Sequence, residues 1–218
     1  MKKKSLNFES SSYAELDELV TRVLCDTASP EHVADAAYLF GETKDNEDSV
    51  LAAALLAWKL KRVRRIALCS AGEVAGYPGL KNWKAKLIKL GIPAKSIVGI
   101  PLVSDFPPST HAESWGLARC AKKNKWKNIY VIAPPLHQLR AFVTTVTAFK
   151  KEKTLTKIFN FVGLPQQWEE HIIHSQGVQR GTRSELLGKE LKKIENYYKS
   201  GDLISGDEVL KYLDQRDK

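Results

Sequence analysis

Between Val98 and Arg140 the chain twice runs an apolar segment into a polar, proline-punctuated loop and then into a helical pattern. The first instance is Val98-Gly99-Ile100-Pro101-Leu102-Val103, followed by Ser104-Asp105-Phe106-Pro107-Pro108-Ser109-Thr110-His111-Ala112-Glu113-Ser114. The second is Asn128-Ile129-Tyr130-Val131-Ile132-Ala133, followed by Pro134-Pro135-Leu136-His137-Gln138-Leu139-Arg140. Short continuous apolar runs read as strands covered on both faces, and polar loops at their carboxyl ends are where open α/β sheets form ligand crevices. The arrangement restricts the chain to a parallel sheet with helical crossovers, with a crevice at these two loops.

The rest of the chain extends this pattern. Residues 13 to 25 place Leu16, Leu19, Val20, Val23 and Leu24 at helical spacing, with Ser10 to Ser12 available as caps. Ser29-Pro30-Glu31 breaks this arm, and Ala36 to Phe40 is a first strand closed by Gly41. An acidic loop from Glu42 to Ser49 leads to a helix from about Val50 to Leu60 that is apolar nearly all round, which predicts a sandwiched helix. Arg65 to Cys69 reads as a second strand with the terminal loop Ser70-Ala71-Gly72, before a helix from Leu80 to Leu90 capped by Gly91. Ile97 to Val103 is a third strand interrupted by Pro101, and a helix follows from Thr110 to Lys123, with Thr110 and Glu113 spaced as a capping box. After the fourth strand, Asn128 to Ala133, come a helix from Leu136 to Phe149 and a fifth strand from Lys153 to Val162. Residues 163 to 182 read as an extended, partly irregular crossing segment, and helices around Leu186 to Tyr198 and Asp207 to Leu213 close the chain. The predicted class is α/β: a three-layer, Rossmann-like open parallel sheet of about five strands with flanking helices and a C-terminal helical extension. The divisions are a helical arm at 1–34, the core at 35–162 and the extension at 163–218.

Composition bounds the function. The chain is 43% hydrophobic and 27% charged, as in ordinary globular proteins. No apolar run approaches the roughly 20 residues that a spanning helix needs, and Val50 to Trp58 is the longest candidate. Met1-Lys2-Lys3-Lys4 resembles the start of a secretory signal, but Asn7, Glu9 and Ser10 to Ser12 occupy the place of its apolar region, so the expectation is a cytoplasmic protein. Cys25, Cys69 and Cys120 are odd in number and well separated, which predicts reduced, mostly buried thiols. The net charge of +9 invites a nucleic-acid reading. The lysines and arginines, however, fall in separate patches at Lys59 to Arg65, Lys81 to Lys89, Lys122 to Lys127 and Lys150 to Lys157, which solvated helix faces explain as well.

The two loops hold the residues with chemistry. Arg140, one turn into its helix, can fork onto a phosphate or carboxylate, or can lie on a solvated face. Glu113 can reach back to the Thr110 backbone or accept from a ribose or amine. His111 and His137 sit at the ends of neighbouring strands, where an imidazole can act as general base or simply close a turn. Ser70 and Gly72 suit an anion-binding turn near a helix N-terminus, although the chain has no P-loop, no G-x-S-x-G and no G-x-G-x-x-G after its first strand. His171 and His174 could share a helical face, but no acidic or cysteine partner in metal-ligand spacing accompanies them, so no metal is assigned. The five tryptophans are scattered, and packing accounts for them better than base stacking.

Gly41, Ser70-Ala71-Gly72, Gly91-Ile92-Pro93, Thr110-His111-Ala112-Glu113-Ser114 and His137-Gln138-Leu139-Arg140 together resemble the outline of the YdcF/SanA/ElyC family, a domain of unknown function with a Rossmann-like core. In that outline one strand ends in glycine, the next ends Ser-Gly-Gly, and a helix precedes Gly-Ile/Val-Pro. A loop then reads Asn-Thr-x-Glu-Asn, and a later strand ends in a polar turn with a downstream Arg. Of that loop Glu113 is retained, while Thr110, His111 and Ser114 stand in the places of Asn, Thr and Asn. Leu186 to Leu213 resembles the tails of cytosolic YdcF-like proteins. The resemblance implies a ligand site of Gly41, Glu42, Ser70, Ala71, Gly72, Thr110, Glu113, Ser114, His137 and Arg140, with His111, Glu113 and His137 as catalytic candidates. It implies S-adenosylmethionine or a phosphorylated carrier as ligand, with hydrolase or transferase chemistry. Two expectations therefore stand: a small-molecule site at the strand ends for a phosphate-bearing or nucleoside-like compound, and a basic module that binds nucleic acid or protein without catalysis.

Overall fold

In the computed structural model, which describes residues 13–26, 33–174 and 178–218, five strands form one parallel sheet in the order β3-β2-β1-β4-β5. They are β1 (Ala36–Leu39), β2 (Ile66–Cys69), β3 (Ile97–Ile100), β4 (Asn128–Ile132) and β5 (Lys157–Asn160). The helices are α1 (Tyr13–Leu24), α2 (Glu47–Lys59), α3 (Leu80–Lys89), α4 (Thr110–Lys123), α5 (Pro135–Lys151), α6 (Arg183–Lys199) and α7 (Gly206–Arg216). A two-stranded antiparallel hairpin, β6 (His171–His174) and β7 (Gln179–Thr182), precedes α6.

Strand residues alternate between two cores, which is why the apolar runs are continuous rather than alternating. Tyr38, Phe40, Val131 and Ile158 pack with Trp115 and Leu117 of α4, Phe142 of α5, Leu19 of α1, Ile194 of α6 and Leu213 of α7. Ala37, Leu39, Leu68 and Ile132 pack on the other face with Ala54 of α2 and with Trp83 and Leu87 of α3. The chain therefore leaves β1 toward one face and β4, its hydrogen-bonded neighbour, toward the other. The crevice between their carboxyl ends is the topological switch point where ligands sit in sheets of this order.

Several elements differ from the sequence expectation for local reasons. β3 stops at Ile100 because Pro101 has no N–H to donate to a ladder. β5 spans only Lys157–Asn160: Lys153 turns the chain in a left-handed conformation (φ 53°), Leu155 is 98% exposed, and pairing with β4 starts at Asn128 opposite Lys157. α2 begins at Glu47, so the end of the expected acidic loop is helical; Glu47 is buried and accepts from Trp83 Nε1 at 2.8 Å. That helix is largely covered, with only Asp48, Leu56 and Lys59 exposed. At α4 the cap is Ser109, whose Oγ accepts from the Ala112 N–H at 3.3 Å, and the Thr110–Glu113 capping box does not form. β6 and β7 pair antiparallel within the stretch expected to be extended and partly irregular. All three cysteines are free, with Cys69 buried, Cys120 half-buried and Cys25 exposed. The Ser10 to Ser12 caps lie outside the described residues. Among the described residues no helix is long and apolar enough to cross a membrane.

Gly116 lets α4 lie directly on the chain that leaves β3: a Cβ there would sit 2.2 Å from the Pro101 carbonyl oxygen. Gly188, exposed on α6, has nothing within 4 Å of such an atom. Gly116→Ala should therefore cost about 2–3 kcal/mol of stability through overpacking, whereas Gly188→Ala should be neutral or gain up to about 1 kcal/mol. Urea denaturation of both variants checks the contrast.

Candidate functional site

Three helices each present a pair of polar residues three positions apart, hence on one face, to the switch-point crevice. Thr110 and Glu113 come from the first turn of α4, His137 and Arg140 from the start of α5, and Glu190 and Lys193 from α6. Gly41 and Glu42 follow β1, and His174 ends β6. All of these except Glu190, which pairs with Arg140 and Lys193, line a cavity of about 240 Å³ together with Cys69, Tyr77 and Tyr197. The extension is locked to the core beside it. Thr43 Oγ1 donates to the Ile173 carbonyl at 2.6 Å, the Ile173 N–H donates to Asp45 at 2.6 Å, and Arg183 donates to the Asp45 carbonyl at 2.8 Å.

Glu42, His137, Thr110, Arg140, Glu190 and Lys193 form one connected chain of hydrogen bonds. Arg140 Nε donates to Glu190 Oε2 and its Nη1 donates to Thr110 Oγ1 at 2.7 Å. His137 shares a hydrogen bond with Glu42 through Nδ1 and one with Thr110 Oγ1 through Nε2, the latter at 3.1 Å. Lys193 donates to Glu190 Oε1 at 2.6 Å. His174 Nδ1 lies 3.3 Å from Asn46 Nδ2; its buried Nε2 is 3.3 Å from Glu190 Oε1 without hydrogen-bond geometry. Glu113 is held through Oε2, which accepts from the Tyr38 hydroxyl at 2.7 Å and the Gly41 N–H at 3.0 Å.

Burial and neighbouring charge divide these groups into ionised and neutral. Burial alone would raise the Glu190 carboxyl, but Arg140, with the two histidines, outweighs it and holds the group well below the usual range. Glu42 goes the other way: burial and the Glu190 charge push it well above. Burial and Arg140 hold His137 well below an ordinary imidazole, and burial also lowers His174. Lys193 is lowered by burial, against the pull of Glu190. Burial raises Glu113 to about 7, opposed by its bonds from Tyr38 and Gly41. Burial and Glu113 push the Cys69 thiol to about 12, so it lines the cavity as a protonated group.

Of the residues singled out in the sequence, Gly41, Glu42, Thr110, Glu113, His137 and Arg140 meet in this cavity. Ser70, Ala71 and Gly72 do not line it. The Ser70 N–H donates to the Ile100 carbonyl and the Leu80 N–H to the Ala71 carbonyl, while Gly72 packs on Gly79, so this loop ties α3 to the sheet. Ser114 is buried beneath the site, 3.4 Å from the Thr145 hydroxyl. His111 turns away and stacks on Trp115 with ring centroids 4.0 Å apart. His171 and His174 lie on a strand, the first exposed and the second buried, and not on one helical face. Among the described residues no group of three or more His, Cys, Asp or Glu is placed to hold a metal. Glu190 and Lys193 were missed although their spacing on an amphipathic helix was visible; nothing local indicates that this helix folds back over the strand ends. At the amino end of the strands, Lys122, Lys125, Lys127, Lys153 and Lys157 surround Leu155, so the fold joins two basic patches that are separate in sequence.

Because folding raises Glu113 from 4.5 to about 7, the native state holds its proton where the unfolded chain has released it. Its contribution is full below pH 4.5 and is lost as pH rises to about 7, a loss of about 3 kcal/mol. Urea unfolding across this range should show that downward slope in the wild type and a shallower one in Glu113→Gln, where Glu42 remains as a raised carboxyl. No family model, curated protein or solved structure matches this chain.

Proposed function

We propose that the chain binds a small phosphate-bearing molecule in the strand-end cavity and acts on it as a hydrolase or transferase. The observation that carries the reading is the charge on the cavity wall. Two cations, Arg140 and Lys193, share one ionised carboxylate, Glu190, while Glu42 is held protonated by burial. Arg140 bonds Glu190 through Nε and Thr110 through Nη1, and its guanidinium lines the cavity, within reach of a ligand oxygen. An anion would also restore the charge that burial presses out of Lys193. Glu113, with a carboxyl near 7, can give or take a proton at neutral pH.

The resemblance to YdcF-like proteins is consistent with such a site and adds S-adenosylmethionine as a candidate. The surplus positive charge, however, suits a phosphate better than a sulfonium. A second reading rests on the lysine groove around Leu155, whose five lysines would engage a nucleic-acid backbone at the opposite end of the sheet.

Inorganic phosphate, sugar phosphates and nucleoside monophosphates should raise the melting temperature of the wild type saturably. Lys193→Gln should weaken that binding on the order of tenfold or more by removing a charged donor. No stabilisation by any of these, beside salt-sensitive nucleic-acid binding unaffected by Lys193→Gln, would replace the first reading with the second.

A further inference from the structure

Glu42, His137 and Thr110 come from the β1 loop, α5 and α4, and they stand in line as carboxyl, imidazole and hydroxyl. His137 Nδ1 is hydrogen-bonded to Glu42 Oε1, and its Nε2 lies 3.1 Å from Thr110 Oγ1. This is the arrangement in which a base reaches a nucleophile and a third group fixes the base. Arg140 Nη1 donates to the same Oγ1 at 2.7 Å, so a guanidinium faces the atom on which negative charge would develop. All four residues line the cavity, and Thr110 also borders the neighbouring hollow that contains His111.

We propose that Thr110 is a nucleophile toward phosphate monoesters, with His137 as its base, Glu42 as the positioning residue for His137, and Arg140 stabilising Oγ1 and the transferred group. This rests on the reading of the cavity as a phosphate site. Thr110 Oγ1 attacks phosphorus while its proton passes to His137 Nε2; the P–O bond to the leaving alcohol breaks, and that oxygen takes the proton from His137. Water then attacks the phosphothreonine and gives a proton to His137. The P–Oγ1 bond breaks, Oγ1 recovers the proton, and inorganic phosphate leaves. A phosphoryl group suits the site better than an acyl group, because its charge spreads over three oxygens that a pair of cations, Arg140 and Lys193, can face.

The proton count of the relay sets its pH dependence. His137 can accept from Thr110 through Nε2 only when its own proton is on Nδ1, facing an ionised Glu42. Glu42 is faced by His137 and Arg140 from α5, Glu113 from α4, His174 from β6, and Glu190 and Lys193 from α6. Burial and Glu190 push the Glu42 carboxyl well above its usual range, so the ionised form that the relay needs grows as pH rises.

The test incubates the full chain with p-nitrophenyl phosphate and a panel of sugar and nucleoside monophosphates, then quenches with acid and maps phosphopeptides by mass spectrometry. The proposal expects turnover that increases with pH, a phosphoryl group on Thr110 in the quenched wild type, and partial activity in Thr110→Ser. Thr110→Val should lose on the order of 10³-fold or more in kcat, and Glu42→Gln should lower kcat and flatten its pH profile. Trapping in the wild type needs no variant to fold. Turnover without phosphate on Thr110, or wild-type rates in a folded Thr110→Val, would overturn it. So would no turnover by a protein that phosphate stabilises, which leaves the binding reading intact; absence of phosphate stabilisation and of turnover removes both.

Discussion

A guanidinium and a carboxylate buried together stay charged only while each compensates the other's loss of water, and Arg140 with Glu190 is such a pair. Arg140 belongs to the helix that leaves β4, Glu190 to the helix of the C-terminal extension. The pair therefore fixes where the extension lies over the sheet and so closes the crevice. Its charges also decide the state of their neighbours: Arg140 helps hold Glu190 ionised and His137 neutral, and the Glu190 charge then helps keep Glu42 protonated. A row of titratable groups thus becomes an ordered sequence of proton-holding and proton-free positions.

The sheet supplies the geometry for this chemistry. Reversal of strand order at β1 and β4 opens the crevice, and α4 and α5 start at its rim, so residues in their first turns converge without any local motif. Gly41 contributes its backbone N–H to Glu113, and a Cβ at this position would come within 3.3 Å of the Tyr77 and Glu113 side chains. The cavity is consequently built from backbone that the core holds rigid, with the extension as its lid wall.

The layout of the sheet was readable because both of its faces are covered: runs such as Ala36–Leu39 and residues 129–132 carry apolar residues at every position, and glycine, proline and polar loops punctuate them. Element ends were less readable, since pairing with a neighbour, and not composition, decides that β5 begins at Lys157. Thr110, Glu113, His137 and Arg140 were visible as rim residues because a helix start fixes its first turn relative to a strand end. His174, Glu190 and Lys193 were not, because their position depends on how the β6–β7 pair and α6 pack over the strand ends, which no local pattern indicates. The Thr182 and Ser205 capping boxes that start α6 and α7 were available as signals for those helices, but say nothing of where the helices pack. The Ser70-Ala71-Gly72 turn misled for a related reason: small residues serve close packing as readily as they serve anion binding, and Gly72 lies against Gly79.

The most direct test of the central pair is a double-mutant cycle on Arg140 and Glu190, with each replaced by methionine and stability followed by urea denaturation. If the pair holds the site together, each single replacement strands a buried charge and costs about 3–5 kcal/mol, while the double variant recovers most of that loss. Losses that simply add, with a coupling below about 0.5 kcal/mol, would show that the two charges do not depend on each other and would contradict the account.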